Sequence, residues 1–441
     1  MRSRLRRLVD RTRRTDPAVA AASAPTTNTP IEASPATPPT VPPATPPTIP
    51  PATPPTSGST PSSATEPRSQ RWTVADALTR AGVNVVGYLD KQLGLGDAGR
   101  EVVGALTDDV VPVAPLAFGA SPSPSVDPPF SSGSTIEYRD TLAVVTADQM
   151  PTLQDWHPEI FTASDRLIGY CFWELSRLSA AGLAGLHLVD EVWAPTRFVA
   201  SVFEQVGLVP VHHVPFPVPE PHPSPRERET FEPLVSARER TVFGVTFDYW
   251  SVHERKNPIG AVDAFTRAFA TDEGPLLVVK TLNAASHPVE HARLLDRVGE
   301  RPDIVVWDEH LSTADQFAFL AGLDVLVSLH RGEGLGKHLA EAMWLGVPCI
   351  ATGYSGNLDF MSADCARLVG HEMIDVEGGG SIYPAGTQWA DPDLDHAAAA
   401  MRELAGDDVV RRRLGAAART RMAAAPDRAA LARTARTLLD I

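Results

Sequence analysis

Cysteine is scarce in this chain, and no two cysteines stand close together in the sequence. Cys171, Cys349 and Cys365 are the three cysteines among 441 residues, and each lies in an apolar run. An odd count without a CxxC pair argues against a disulfide framework and favours reduced, buried thiols in a cytoplasmic protein. Long apolar segments are lacking as well. No run approaches the roughly 18 residues of a membrane span, and no apolar stretch follows the basic N-terminus as it would in a signal peptide.

An excess of positive charge is also lacking, since 39 lysines and arginines face 54 aspartates and glutamates and the formal net charge is -15. This balance argues against nucleic acid as the main partner. The hydrophobic fraction of 43% is typical of a globular protein, and the length allows two or three domains. Proline departs from this ordinary composition, because the chain has 41 prolines and they are unevenly distributed.

The first 71 residues hold most of the unusual composition. Residues 1–14 carry seven arginines and one aspartate, and residues 36–56 repeat an eight-residue unit that begins ATPPT. Proline fixes φ and removes N–H donors, so the repeat predicts an extended spacer without a core. Two interpretations of residues 1–14 stay open. The segment is either a solvated tail, or a segment that binds anionic lipid, with each arginine contributing ~1 kcal/mol to the binding free energy. We therefore assign 1–71 as a basic N-terminus followed by a disordered Pro/Thr-rich linker.

The rest of the chain alternates short apolar runs with helical stretches, which predicts parallel sheets with right-handed crossovers. A polar, proline-rich break at 218–229 divides it. Before the break, the predicted strands are 83–89, 111–118, 141–147, 167–172 and 189–195. After it, they are 241–247, 275–280, 303–308, 324–330, 347–351 and 366–370. We expect an α/β protein with two Rossmann-like doubly wound domains, at 72–222 and 238–390, facing each other across a cleft. Residues 391–441 are predicted to form helices that cross back to the N-terminal domain.

The stretch HRGEGLGKHLAEAM, residues 330–343, carries the clearest chemical pattern. It follows a predicted strand, passes through a glycine-rich turn and enters a helix, which is where doubly wound folds bind ligands. Glycines let the backbone approach a ligand closely, and free N–H groups at a helix start attract phosphate. Lys337 adds positive charge there, while Glu333 and Glu341 provide carboxylates on either side that can accept hydrogen bonds from sugar hydroxyls. The stretch therefore predicts a site for a nucleoside diphosphate sugar.

The pattern E-G-L-G…A-E-A-M, followed by G-V-P-C-I-A-T-G-Y-S-G-N, resembles the C-terminal domain of family 4 retaining glycosyltransferases of GT-B fold, of the bacterial Glu-x7-Glu type. RKNPIGAVDAF (255–265) and LLVVK resemble the same family. In the first half GYLDKQLGLGDAGR (87–100), YCFWELS (170–176) and DEVWAPTRFVA (190–200) do so too. The resemblance extends from about residue 80 to about residue 440. It implies two Rossmann-like domains and the transfer of a sugar from a nucleotide sugar with retention of configuration.

The resemblance also implies roles for individual residues. It assigns Glu333 to the hydroxyls of the transferred sugar, Glu341 to the nucleotide ribose, and Lys256 and Lys280 to the diphosphate. The family usually has an arginine about six residues before its first lysine, where this chain has Trp250, so Arg255 is expected to substitute. The expected catalytic residues are Lys256, Arg255, Lys280 and Glu333. The expected donor site further includes His330, Arg331, Gly334, Leu335, Gly336, Lys337 and Glu341.

Gly94, Gly96 and Gly99 form a GxGxxG pattern with more than one interpretation. A dinucleotide-binding fingerprint would follow its strand directly and would need an acidic residue after the second strand, and neither condition is met. A tight turn without a ligand stays open. The resemblance favours a loop that faces the donor phosphates across the cleft, with Gly94 and Gly96 in contact with the donor.

On the acceptor side, Trp173, Glu174 and Asp148 follow predicted strand ends and are expected to face the cleft. A buried tryptophan beside a capping glutamate explains the first two equally well. Asp391 and Asp393 form a DxD pattern, but aspartates at a helix start cap the helix and offset its dipole. We therefore expect no metal and no resident cofactor.

The expected function is that of a retaining glycosyltransferase. It would move a hexosyl unit, mannosyl or glucosyl, from a nucleoside diphosphate sugar to a glycan or glycolipid of the cell envelope. The expected location is the cytoplasm or the inner face of the plasma membrane. One rival is a nucleotide-binding oxidoreductase that uses the GxGxxG loop, and the missing acid argues against it. The other is an inactive glycan-binding scaffold, which the presence of Glu333, Glu341 and Lys256 argues against.

Overall fold

The computed structural model describes residues 79–121, 123–126, 129–133, 135–235, 237, 239–271, 273–376, 383 and 386–441. The basic segment 1–14, the proline repeat 36–56 and the rest of the predicted linker 1–71 lie outside these residues, so the interpretations of that segment stay predictions. Within the described residues, no helix combines the length and the apolar character that crossing a bilayer requires.

Six parallel strands form the first sheet, in the order β2-β1-β3-β4-β5-β6. Their bounds are β1 Thr79–Gly87, β2 Val113–Ala117, β3 Tyr138–Val144, β4 Arg166–Tyr170, β5 Glu191–Ala194 and β6 Val211–His213. Helices cover both faces of a parallel sheet, so its strands are near-continuous apolar runs, and this is why the first five strands are predictable. Val83, Val85 and Val86 on β1, for example, are fully buried. The sequence does not predict β6, because its half-buried VHH carries little apolar signal.

Five helices belong to this first half of the structure. They are α1 Gly94–Asp108, α2 Met150–Trp156, α3 Pro158–Ala163, α4 Ala180–Leu186 and α5 Arg197–Glu204. Two of them begin at a hydroxyl cap, since Ser179 accepts from the N–H of Gly182 and Thr196 accepts from the N–H of Val199. A side-chain cap satisfies a backbone donor that the helix start leaves without a partner.

The second sheet also has six parallel strands, in the order β12-β11-β10-β7-β8-β9. Their bounds are β7 Val242–Asp248, β8 Leu276–Leu282, β9 Ile304–Asp308, β10 Val325–Ser328, β11 Cys349–Thr352 and β12 Arg367–Val369. Counted within this half, the order is that of a doubly wound sheet, with a switch point between its first strand β7 and its fourth strand β10. The chains leaving these two strands turn to opposite faces, and this opens a crevice at their carboxyl ends.

The helices of the second half connect these strands and then continue to the C-terminus. The connecting helices are α6 His253–Lys256, α7 Pro258–Ala268, α8 Pro288–Val298, α9 Thr313–Ala321 and α10 Lys337–Trp344. The C-terminal helices are α11 Leu394–Gly406, α12 Asp408–Ala423 and α13 Arg428–Leu439. α13 packs against α1 of the first half. There Arg428 donates to both carboxylate oxygens of Glu101 at 2.6 and 2.7 Å, and Arg436 donates to Asp109 at 2.6 Å.

The two halves share hydrophobic packing as well as ion pairs. One cluster of buried side chains contains Val83 of β1, Phe216 of the segment between the halves, and Leu326 of β10. Because burying a large apolar side chain contributes about 1.5–3 kcal/mol, this shared cluster favours a fixed arrangement of the two sheets.

An antiparallel hairpin that the sequence does not predict follows β12. Its strands are β13 His371–Asp375 and β14 Gln388–Pro392. β13 is mostly exposed, so it lacks the apolar run that marks the other strands. Trp389 of β14 and Tyr383 are nonetheless buried in a cluster of the first half that includes Trp173. The hairpin therefore crosses from the second half to the first.

The hairpin also corrects the interpretation of the DxD pattern. Asp391 lies within β14 opposite Glu372, so it does not open a helix. Asp393 is the cap of α11 and accepts from the N–H groups of Asp395 and His396, at 2.9 and 3.0 Å.

Candidate functional site

The loop after β7 brings two cations to the switch point of the second sheet. The short helix α6 ends with Arg255 and Lys256, and Asn257 follows in the left-handed conformation with φ of 51°. The Asn257 side chain accepts from the N–H of Gly260 at 3.1 Å, which starts α7, and donates to the carbonyl of Leu329 at 2.9 Å. This second bond ties the β7 loop to the end of β10. The cations are therefore held beside the glycine-rich turn that follows β10.

Glu333 in that turn forms a buried ion cluster with both cations. Lys256 Nζ lies 2.5 Å from Glu333 Oε1, and Arg255 Nη1 lies 3.2 Å from the same oxygen. The backbone holds the glutamate in place, because its N–H donates to Ser355 Oγ at 2.8 Å and its carbonyl accepts from the N–H of Gly356 at 2.9 Å. Burial opposes ionisation of the Glu333 carboxyl, but Lys256 and Arg255 outweigh it and hold its pKa well below the ordinary value. The carboxylate is thus charged at neutral pH.

Glu341 lies on α10, eight residues after Glu333 and outside the Lys256 cluster. Its Oε1 accepts from Lys337 Nζ at 3.0 Å, one turn earlier on the same helix. The same ammonium donates at 2.8 Å to Asp97 on α1, in the first half. Burial raises the pKa of Glu341, against the attraction of Lys337, whereas the two carboxylates outweigh burial and raise the pKa of Lys337. Lys337 is therefore a cation shared between two acids of different domains.

The glycine-rich turn packs closely against the first half. A Cβ on Gly332 would lie 2.2 Å from the carbonyl oxygen of Glu174, and one on Gly334 would lie 3.1 Å from the backbone of Trp173. Contacts under 3.0 Å essentially never occur for real Cβ atoms, so the first position requires glycine as the chains are arranged. Thr196 Oγ1 donates to the Gly334 carbonyl at 2.9 Å across the same contact. Leu335 is buried, and Gly336, with φ of 83°, starts α10.

Lys280 on β8 is separate from the Glu333 cluster, although the sequence groups it with Lys256. Its side chain is buried and donates to the carbonyls of Glu309 and Thr281, with Nζ 5.8 Å from the centre of the Trp307 ring. Burial lowers the pKa of Lys280 to about 8, although Asp308 and Glu309 oppose this shift. The structure therefore places Lys280 at the loop after β9, apart from the cations around Glu333, and its role at the diphosphate stays a prediction.

His330 and Arg331, both expected in the donor site, have protein partners in this structure. His330 is fully buried, with Nδ1 3.0 Å from Ser328 Oγ and Nε2 3.2 Å from Asn357 Oδ1, so it faces the interior of its domain. Arg331 donates to Asp391 of β14 at 2.8 Å and covers the ring of Trp389 at 5.3 Å. Both side chains are thus held by other residues of the protein, and their contact with a donor stays a prediction.

Of the three residues expected on the acceptor side, Glu174 alone is in contact with the ion cluster. Its Oε1 lies 3.7 Å from Arg255 Nη2 and its Oε2 accepts from Tyr383 at 3.3 Å. Trp173 is 1% exposed and donates from Nε1 to the Arg177 carbonyl, so the buried interpretation is correct for its ring. Asp148 follows β3 and is half-buried, and its Oδ2 accepts a hydrogen bond from Gln149 Nε2 at 3.2 Å.

Tyr383 reaches the cluster without a signal in the sequence that marks it, whereas Ser355, which also reaches it, lies in the G-Y-S-G-N part of the family-like pattern. Tyr383 is buried, and its hydroxyl hydrogen-bonds to Arg255 as well as to Glu174. It precedes a PAG stretch that resembles an ordinary turn, and only the hairpin brings it to Arg255.

The GxGxxG pattern spans the start of α1. Gly94 is the first residue of the helix, and a Cβ there would meet no atom within 4 Å. Gly96 is enclosed, because its Cβ would lie 2.4 Å from the Lys91 carbonyl. Within the described residues, no group of three or more His, Cys, Asp or Glu side chains is arranged to hold a metal ion.

Two cavities lie at the junction of the halves and away from Glu333. One of about 470 Å³ is bordered by α1, residues 217–220 and the chain between α12 and α13. The other, of about 230 Å³, is bordered by the start of α5, Leu335 and the end of α12. Glu333, Lys256 and Glu341 line neither cavity, so the candidate site is defined by the ion clusters and the fold.

No protein-family model matches the sequence, and no curated protein matches it either. Solved structures do match its fold. Sucrose-phosphate synthase from Thermosynechococcus elongatus aligns over 81% of this chain and 98% of its own, with a TM-score of 0.54 at 13% identity. HepE of Anabaena, in complex with UDP and glucose, aligns over 82% and 100%, with a TM-score of 0.53 at 14% identity.

WaaG, a glycosyltransferase involved in lipopolysaccharide biosynthesis, aligns over 81% of this chain and 99% of its own, with a TM-score of 0.50 at 14% identity. The chain spans 55% of the length of TarM, which it also matches at a TM-score of 0.49. Identities this low show the fold alone. The chain has the GT-B fold, in which two Rossmann-like doubly wound domains face each other across a cleft.

Proposed function

We propose that this protein is a retaining glycosyltransferase that moves a hexosyl unit from a nucleoside diphosphate sugar to a glycan or glycolipid. The observation that carries the proposal is the Glu333 cluster at the switch point of the second sheet. Doubly wound folds bind nucleotides in the crevice at this switch point. This crevice holds a buried carboxylate, two cations and a helix with glycine at its N-cap. A carboxylate that accepts sugar hydroxyls and cations that hold phosphates are the two features that such a donor requires.

The donor would lie across the start of α10. The diphosphate would take the free N–H groups of the helix start together with Lys256 and Arg255. Glu333 would accept hydrogen bonds from the transferred sugar, and Glu341 from the ribose. HepE has crystal structures in complex with UDP and glucose and with UDP-glucose, so UDP-glucose is a natural first donor to test.

Catalysis would rest on stabilising the leaving diphosphate. In the front-face route that the family resemblance implies, the leaving phosphate helps to take the acceptor proton, and no protein base is needed. Lys256 and Arg255 then act where negative charge grows, in a site already shielded from water, which strengthens their effect. The contact of the glycine-rich turn with Trp173 and Glu174 supports this, because water must be excluded to prevent hydrolysis of the donor.

The acceptor would approach from the first half, near Glu174. This carboxylate is partly exposed and lies beside Arg255, so it can accept a hydrogen bond from an acceptor hydroxyl. WaaG acts in lipopolysaccharide biosynthesis, which makes a glycolipid of the cell envelope a reasonable acceptor class. Residues 1–14, outside the described structure, would then hold the enzyme at an anionic inner membrane surface through their seven arginines. The oxidoreductase alternative is not favoured, because the sequence lacks the acidic residue that a dinucleotide-binding fingerprint needs after its second strand.

Isothermal titration calorimetry with UDP, GDP and ADP tests the donor site. A charged hydrogen-bond pair contributes about 1.5–3 kcal/mol, so Glu341→Ala should weaken the binding of the preferred nucleotide by one to two decades. In thermal shift, a nucleotide at 100 times its Kd should add about 2.7 kcal/mol of stability to the wild type. Unchanged affinity of the variant for every nucleoside diphosphate would refute the ribose assignment. Binding of NAD(H) without any of the three would favour the oxidoreductase instead.

A further inference from the structure

A row of alternating charges links α1 of the first domain to the ribose side of the proposed donor site. Arg100 donates to Asp97 at 2.5 Å, Asp97 accepts from Lys337 at 2.8 Å, and Lys337 lies 3.0 Å from Glu341. Asp97 and Lys337 are 240 positions apart in the chain, so only the folded arrangement of the two domains joins them. The row is thus part of the contact between the domains.

Lys337, expected to add positive charge at the donor site, has two carboxylate partners in this structure. An ammonium has three N–H donors on one centre, and here two carboxylates lie within 3.0 Å of it. Its charge is thereby directed to Glu341 and Asp97. The side chain of Glu341 is only 11% exposed, and the cation beside it is the ammonium of Lys337.

We infer that Asp97 and Lys337 are positioning residues for the ribose of the nucleotide, acting through Glu341. This inference rests on the proposed function, in which Glu341 accepts hydrogen bonds from the ribose hydroxyls. Lys337 holds one carboxylate oxygen of Glu341 in place. The second oxygen is thereby oriented toward the sugar. Asp97 holds Lys337 from the first domain, so the ribose site is complete only while the two domains are in contact.

The electrostatics of the row agree with this arrangement. Burial raises the pKa of Glu341, and Asp97 raises it further, while Lys337 opposes both. Burial also opposes ionisation of Asp97, but Lys337 and Arg100 outweigh it and lower the pKa of that acid. Removing the ammonium would therefore leave two carboxyl groups near each other without their shared cation, and the ribose acceptor would lose its orientation.

A comparison of ribose and deoxyribose nucleotides isolates this effect. The probes are the ribonucleoside diphosphate that the wild type binds best and its 2′-deoxy form, measured by titration calorimetry on the full chain. The wild type should prefer the ribose form by about tenfold or more, as one charge-assisted hydrogen bond allows. Lys337→Met should abolish most of that preference, because it keeps the length of the side chain and removes the ammonium. Lys337→Arg, which keeps the charge, should restore a large part of it.

The contribution of Asp97 is tested by a double-mutant cycle. Asp97→Asn should reduce the preference by about fivefold, since the freed Lys337 regains rotamer entropy, and it should have no further effect in the Lys337→Met background. Asp108→Asn is the matched control, because it makes the same change on α1 at a residue that pairs with Arg428. It should leave the preference unchanged. Circular dichroism and thermal melting of each variant would establish that it folds.

Three outcomes would overturn the inference. If Lys337→Met weakens ribose and deoxyribose forms equally, Lys337 acts on the diphosphate. If Asp97→Asn has its full effect in the Lys337→Met background, the two residues act independently. If the variants keep the wild-type preference, the row has no part in ribose binding. Failure of the wild type to bind any nucleoside diphosphate would instead refute the proposed function itself.

Discussion

Replacing Glu333 with glutamine removes one charge and keeps the shape of the side chain, so it isolates the electrostatics of the site. Lys256 and Arg255 both contact Glu333 Oε1, at 2.5 and 3.2 Å, and the three side chains are 6–14% exposed. Removing one partner of a buried ion pair costs about 3–5 kcal/mol, because the remaining charge is left without compensation. Arg255 keeps its bond to the Gly332 carbonyl, so we expect a loss of about 3 kcal/mol, at the lower end of that range.

The pH dependence of this loss follows from the pKa of Glu333. Lys256 and Arg255 hold that pKa well below its unfolded value of about 4.3, against the effect of burial. A carboxyl whose pKa falls on folding stabilises the protein above the unfolded pKa, and it loses this contribution as the pH falls toward the folded pKa. The difference in unfolding free energy between wild type and Glu333→Gln should therefore be constant near neutral pH and shrink below about pH 4.5.

Urea denaturation and thermal melting at several pH values measure both effects. At neutral pH we expect a melting temperature lower by roughly 6–12 °C, since domains of this size lose about 2–4 °C for each kcal/mol. Glu372→Gln is the matched control, because this glutamate is exposed on β13, and its substitution should change stability by less than about 0.5 kcal/mol. Equal stability of wild type and Glu333→Gln at neutral pH, or a difference that grows on acidification, would refute the electrostatic reasoning.

Three further substitutions or truncations test other parts of the molecule. Lys256→Ala should lower kcat more than it raises the KM for the donor, since charge on the leaving diphosphate grows toward the transition state; a near-normal kcat at saturating donor would contradict this. In the wild type, the unfolding free energy should rise between about pH 8 and 10.4, because a lysine whose pKa falls on folding binds more protons in the unfolded state over that interval, and Lys280→Met should remove this rise. Equal pH dependence of the unfolding free energy for wild type and variant in urea titrations would argue against it. The full chain should sediment with anionic liposomes at low salt and be released at high salt, whereas a chain that starts at Ser69 should stay in solution; the same behaviour of both would favour a solvated tail.

The predictions from sequence succeeded where the signal is local. Buried parallel strands are continuous apolar runs, and eleven of the twelve strands of the two sheets lie where such runs predict them. The strand–turn–helix context of Glu333 and the one-turn spacing of Lys337 and Glu341 can likewise be recognised within a few residues of chain. β6 and the β13–β14 hairpin have no such runs, and the sequence does not reveal them.

The directions of several site side chains are set by partners that are distant in the sequence. Lys256 and Lys280 are both lysines at the carboxyl ends of neighbouring strands, yet one faces Glu333 and the other the Glu309 carbonyl. His330 and Arg331 directly precede the turn, and their side chains bond to Asn357 and Asp391. Position in the sequence therefore does not give the direction of these side chains.

The sequence by itself determined the two doubly wound sheets and the carboxylates on either side of the α10 start, because periodicity and motif spacing are properties of short segments. Only the tertiary structure decided which charges pair with which. The contacts of Lys256 with Glu333 span 77 positions, and that of Lys337 with Asp97 spans 240. Their energies depend on burial, which lowers the local dielectric and arises only when the glycine-rich turn packs against Trp173 and Glu174.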